Sequence, residues 1–111
     1  MATTDADRAL VESILSEYAR LYPYSYGDIQ RQTVFDRAGD HYLLMSVGWD
    51  ERRVHGCLVH VDLIDGKFWI QRDGTEEGIT PELEAAGIPK DRIVLAFRRP
   101  ESRRISGYAV A

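Results

Sequence analysis

Gly56-Cys57-Leu58-Val59-His60-Val61-Asp62-Leu63-Ile64-Asp65-Gly66-Lys67-Phe68-Trp69-Ile70-Gln71 is the stretch that decides the fold. Asp65-Gly66 separates two runs rich in β-branched and aromatic residues, and both turn residues tolerate the positive φ of a two-residue hairpin loop. The stretch therefore reads as a strand from Arg53 to Ile64, a tight turn, and a strand from Lys67 to Gln71. Strict alternation puts Cys57, Val59 and Val61 on one face. A two-residue loop leaves no room for a crossover helix, so the pair is antiparallel.

The same pattern extends toward the N-terminus. His41 to Trp49 reads as a strand with Leu43, Met45, Val47 and Trp49 on one face, and Asp50-Glu51 turns the chain. Before it, Ile29, Thr33 and Phe35 alternate with Gln30, Gln32 and Asp36, and Arg37-Ala38-Gly39-Asp40 forms the connecting turn. Earlier still the period changes. Leu10, Ile14, Tyr18 and Leu21 recur at helical spacing, widened by Val11 and Leu15, after a candidate N-cap at Thr4. Pro23 ends this helix, and Tyr22-Pro23-Tyr24-Ser25-Tyr26-Gly27-Asp28 is an aromatic connector.

Toward the C-terminus, Thr80-Pro81 opens a short helix that Gly87 closes. Ile93 to Phe97 is a short buried strand, and Ile105 to Ala111 is one further candidate. The expected architecture is a single α+β domain over residues 1–111. In it an N-terminal amphipathic helix packs on a mainly antiparallel meander of about five or six strands, with a short second helix.

Composition bounds the function. A 44% hydrophobic and 29% charged chain is globular, since disorder requires fewer apolar residues. One cysteine excludes an intrachain disulfide. The start Met1-Ala2-Thr3-Thr4-Asp5 lacks a signal-peptide core, and no apolar run is long enough for a bilayer. The expected location is the cytoplasm, with no membrane partner. The net charge of −4 opposes bulk attraction to nucleic acid. Charge is nevertheless uneven, because residues 1–89 carry 8 basic and 16 acidic side chains, while residues 90–111 carry 6 and 2.

Chemistry-bearing residues are sparse. On a regular strand His55 and His60 point to opposite faces. His60 and Asp62 share a face and His41 could lie on a neighbouring strand, but a His60-x-Asp62 pair lacks zinc-site spacing, so no metal and no cofactor are expected. Cys57 reads as a small hydrophobe rather than a nucleophile. Ser46, Ser102 and Ser106 occupy no nucleophile-elbow context, and Gly74 and Gly78 lack the lysine of a phosphate loop. No catalytic residue is assigned.

The loop from Gln71 to Gly78 is the most informative surface candidate. Trp69, Gln71, Asp73, Thr75, Glu76 and Glu77 form the expected partner-binding set, an acidic patch suited to arginines of another protein. The alternative is a turn and helix cap at Gly74-Thr75-Glu76. Arg98, Arg99, Arg103 and Arg104 are a second, basic contact surface, which reads as solvated or protein-contacting rather than DNA-reading because the helices are acidic. Tyr18, Tyr22, Tyr24 and Tyr26 read as helix-on-sheet packing, with interface anchoring as the alternative.

Several runs carry a family resemblance: Tyr24-Ser25-Tyr26-Gly27-Asp28, Asp40-His41-Tyr42, Val47-Gly48-Trp49, Gly56 to Asp62, Asp65 to Gln71, Gly74 to Ile79, Gly87 to Leu95 and Tyr108-Ala109-Val110. With these the chain resembles the XisI family, the fdxN-element excision controlling factors best represented in cyanobacteria. The resemblance implies a small α+β accessory factor without catalytic residues. It would be associated with an XisH-like partner of nuclease-like fold, and would meet nucleic acid only through that partner. Arg98 and Arg99 stand where the family often has histidine, which argues further against a histidine-based site. The alternatives are direct DNA binding through the basic end, or a small ligand-binding or enzymatic domain around His60, Asp62 and Trp69. A free sheet edge is also compatible with a homodimer.

Overall fold

The computed structural model describes residues 1–23 and 28–111. Helix α1 (Asp5–Leu21) is followed by strands β1 (Gln30–Asp36), β2 (His41–Trp49), β3 (Arg53–Ile64) and β4 (Lys67–Asp73). Then come helix α2 (Thr80–Ala85), a single 3-10 turn at Lys90–Arg92, strand β5 (Ile93–Leu95) and the one-turn helix α3 (Pro100–Arg103). The strands form one sheet in the order β1-β2-β3-β4-β5. The first four make the expected antiparallel meander, and β5 joins parallel to β4 through the crossover that carries α2.

Local signals explain most of these elements. Thr4 caps α1 through a reciprocal box: its hydroxyl accepts from the Asp7 N–H at 3.1 Å, and the Asp7 carboxylate accepts from the Thr4 N–H at 3.1 Å. Asp65 and Gly66 both take positive φ, 50° and 78°, as a two-residue hairpin turn demands. Gly48 has φ 153°, and a Cβ there would lie 1.9 Å from the Asp28 carbonyl oxygen, so only glycine lets the chain enter β1 across β2.

The core lies between α1 and the sheet. Val11 and Leu15 of α1 are fully buried against a cluster that includes Tyr42, Leu44, Val59, Val61 and Leu63. Leu83 of α2, with Ile79, closes the same core beside Phe68, Ile70 and Leu95. Each such side chain contributes about 1.5–3 kcal/mol by leaving water. The expected helix stripe is centred one residue off. Its deepest line is Asp7, Val11 and Leu15, whereas Leu21 is 54% exposed at the helix end. Asp7 is tolerated there because the Arg92 guanidinium donates to it at 2.9 Å.

Two β-bulges alter the face assignments. Leu44 pairs with Val59 but Met45 pairs with Cys57, so Leu58 is an extra residue in β3. Cross-strand partners share a face. Cys57 therefore lies opposite Val59 and Val61, and His55 lies on the same face as His60; both corrections follow from the one inserted residue. Likewise His60 pairs with Arg72 and Val61 with Ile70, leaving Gln71 as the extra residue in β4.

The expected strand at the C-terminus reduces to one parallel bridge between Val94 and Ala109. The preceding basic stretch forms α3 instead. No described helix is long and apolar enough to cross a membrane.

Candidate functional site

The loop after β4 is organised by Asp73. One carboxylate oxygen accepts the Thr75 N–H at 3.2 Å and the Thr75 hydroxyl at 2.7 Å, and the other accepts the Ile79 N–H at 2.7 Å. Gly74 donates its N–H to the Leu58 carbonyl at 2.7 Å, which ties the loop to the β3 bulge. A Cβ on Gly74 would lie 2.9 Å from the Leu58 side chain, so this close approach needs glycine. These bonds make the turn of the alternative reading, and Asp73 reaches the N–H of the residue before α2 without Gly74-Thr75-Glu76 capping the helix. The loop's carboxylates precede Thr80, and the residue at the N-cap of α2, Ile79, offers no side-chain bond. Glu76 and Glu77 are exposed while Asp73 and Thr75 are half-buried.

Sequence alternation puts Trp69, Gln71 and Asp73 on one face, and the Gln71 bulge separates them. Trp69 is the register partner of Asp62, whereas Asp73 is the partner of the core residue Val59. The six expected contact residues thus fall into two places. Trp69 and Gln71 belong to the sheet face opposite α1, and Asp73, Thr75, Glu76 and Glu77 belong to a loop beside the helix.

That loop and α1 enclose a groove of about 410 Å³. Ile14, Tyr18 and Leu21 supply its apolar wall, and Glu17, Glu76, Glu77 and Glu82 supply carboxylates. Tyr18 and Tyr22 pack at 4.9 Å between ring centroids at the same end of the helix. Tyr24 and Tyr26, which the sequence groups with them, lie outside the described residues. A second cleft of about 310 Å³ runs along the other side of the loop, between Glu76, Glu77 and the segment with Phe97, Arg98 and Tyr108. Interface anchoring by Tyr18 and Tyr22 was the alternative reading of the sequence, but their place beside the acidic loop was not legible there; the further signal was Leu21, an apolar residue at the stripe's unpacked end.

The four C-terminal arginines are not equivalent. Arg103 donates to the Arg98, Ala96 and Val110 carbonyls at 3.1, 3.2 and 3.4 Å, and its guanidinium lies 5.6 Å from the Trp69 ring centroid. It pins the C-terminal segment onto the sheet. Arg98, Arg99 and Arg104 are exposed.

On the sheet face opposite α1, His41 and Asp62 are cross-strand partners and His60 lies two residues before Asp62. Asp62 Oδ1 accepts from His41 Nδ1 at 2.7 Å and from His60 Nε2 at 2.8 Å, and Oδ2 accepts from the Gln71 amide at 3.3 Å. Burial pushes the Asp62 carboxyl upward, but the two imidazoles outweigh it and hold the group below its ordinary value. The hydrogen bond to Asp62 raises His41. Cys57 donates to the Val59 carbonyl at 3.1 Å, and burial raises its thiol, the opposite of what a thiolate nucleophile needs.

Comparison with known proteins agrees with this architecture. The family model described as XisI protein matches residues 1–110. A crystal structure of an XisI-like protein from Anabaena variabilis superposes with a TM-score of 0.85 at 34% identity, covering 94% of this chain and 95% of that one. The structure of the fdxN element excision controlling factor XisI from the same organism gives 0.81 at 30% identity over the same shares. A search of curated proteins finds no match. A full-length family match and two close structural relatives place this chain in the XisI family.

Proposed function

We propose that this chain is a non-enzymatic controlling factor that binds an XisH-like partner of nuclease-like fold and is linked through it to excision of a DNA element. The observation that carries the reading is the groove between α1 and the acidic loop. An apolar wall of Ile14, Tyr18 and Leu21 lies in the same groove as the acidic residues Glu76, Glu77 and Glu82, with Glu17, whose carboxylate Arg20 already holds, at its side. Such a groove suits a segment that presents apolar anchors flanked by arginine or lysine, with the wall supplying affinity and the carboxylates orientation and on-rate. The excision role rests on the relative described as an fdxN element excision controlling factor.

The test is a titration of an XisH-like protein with the Glu76→Lys/Glu77→Lys variant. Loss of affinity at least tenfold, in a variant that keeps its circular dichroism spectrum, supports the groove. Unchanged affinity removes it.

A second reading is direct DNA contact, favoured by the exposure of Arg98, Arg99 and Arg104 on one short segment. It requires salt-sensitive binding of DNA by the isolated chain, and no binding at low salt would eliminate it. The free edge at β1 supports self-pairing as a further contact. The mass of the isolated chain in solution measures that directly.

A further inference from the structure

We propose that His41, His60 and Asp62 form a binding site for one divalent first-row transition metal ion of the zinc class, with an outward-facing coordination position. The site is independent of the partner groove, because the Gln71 bulge separates the two surfaces.

The geometry is close to that of a metal centre. One ligand atom from each residue can be chosen so that all lie within 4.8 Å of one another. Two imidazole nitrogens and one carboxylate oxygen around zinc sit roughly 3.3 Å apart, as bonds of about 2.0–2.2 Å in a tetrahedron require. The Asp62 oxygen is at present 2.7 and 2.8 Å from the two nitrogens, so a shift of about half an ångström opens the space for an ion. Both nitrogens reach the same oxygen. In the metal form each would offer its lone pair, and the imidazole proton would sit on the other ring nitrogen.

The scaffold is stiff. His41 and Asp62 face each other across adjacent strands, and His60 is on the Asp62 strand with the same orientation. The Asp62 side chain is only 13% exposed and is held by the Gln71 amide, the supporting contact that ligating carboxylates use. His41 is 52% exposed, which leaves the outer side of the cluster open for entry and for a fourth ligand. Two imidazoles with one carboxylate select zinc, nickel, copper or iron over magnesium and calcium, which prefer all-oxygen shells. Alternation already put His60 and Asp62 on one face, with His41 a candidate on a neighbouring strand; strand register, which pairs His41 with Asp62, is what completes the cluster.

The experiment titrates the full chain, stripped with chelator, with zinc chloride by calorimetry, and with cobalt chloride by visible absorption. The expected result is one ion per chain and a cobalt ligand-field spectrum. His41→Gln, His60→Gln and Asp62→Asn should each lower affinity by more than Gln71→Ala, which is expected to lower it roughly 10- to 100-fold. His55→Gln, on the same face but outside the cluster, should leave it unchanged. No saturable binding by the unaltered chain would overturn the proposal. So would binding that survives the His60 and Asp62 changes, or that falls equally with His55→Gln.

Discussion

The Ile79 backbone N–H donates to Asp73 Oδ2 at 2.7 Å, closing the loop that presents Glu76 and Glu77. Asp73 supports that loop from within, and its charge is spent on the loop's own backbone. Replacing it with alanine leaves a buried amide without a partner, a loss of about 1–3 kcal/mol. Asp73→Ala should therefore lower stability by that amount and speed hydrogen exchange at the Ile79 amide. Glu76→Ala should do neither.

Asp7 and Arg92 lie 85 positions apart and join the start of α1 to the entry of β5. Arg92 also donates to the Gly66 carbonyl at 2.8 Å and lies over the Phe68 ring, so one guanidinium holds helix, hairpin turn and crossover. Arg92→Met should cost about 2–3 kcal/mol, because it leaves a buried carboxylate unpaired. Adding Asp7→Asn, which keeps an acceptor for the Thr4 N–H and removes the charge, to Arg92→Met should recover part of that loss. Chemical denaturation of the single and double variants measures the coupling.

Arg103 separates from the other three C-terminal arginines by its carbonyl contacts. Arg103→Ala should destabilise the chain by about 1–2 kcal/mol and alter Trp69 emission, while Arg98→Ala, Arg99→Ala and Arg104→Ala stay within about 0.5 kcal/mol. Lysine should not rescue it, since a point charge cannot reach several carbonyls through a planar fork.

Tyr42 and Asp40 predict a pH profile. The Tyr42 hydroxyl donates to Asp40 at 2.9 Å, and Arg8 donates to the same carboxylate at 2.8 Å. Burial, then this bond to Asp40, pushes Tyr42 up from 10.0 to about 12. A raised folded-state value means stability that is complete below pH 10.0 and is lost as pH rises toward about 12. Arg8 holds the Asp40 carboxyl below 3.8, so its contribution is present above that pH and is lost as pH falls through the depressed value. Thermal melts across pH should show both losses. Tyr42→Phe should flatten the alkaline one and Asp40→Asn the acid one.

What the sequence made legible was local. The Thr4 cap, the 3.6-residue apolar period of α1 and the Asp65-Gly66 turn each depend on neighbours within a few positions, and each appears in the structure where its residues stand. The bulges at Leu58 and Gln71 have no such signature. They follow from how β3 meets the loop, where Gly74 bonds the Leu58 carbonyl, and a single inserted residue reverses every later face. That is why His55 and His60 share a face, and why Trp69 and Asp73 do not. The parallel docking of β5 and the Asp7–Arg92 pair are likewise fixed by tertiary packing. The acidic loop was legible as charge, but its division into a supporting Asp73 and two exposed glutamates depends on geometry that composition does not carry.

The most direct test of the partner-binding account is light scattering of this chain co-purified with an XisH-like protein. The account predicts one peak whose mass is a defined sum of the two chains, and a shift to separate peaks when Glu76 and Glu77 are reversed in charge. Two separate peaks for the unaltered proteins at micromolar concentration would contradict it.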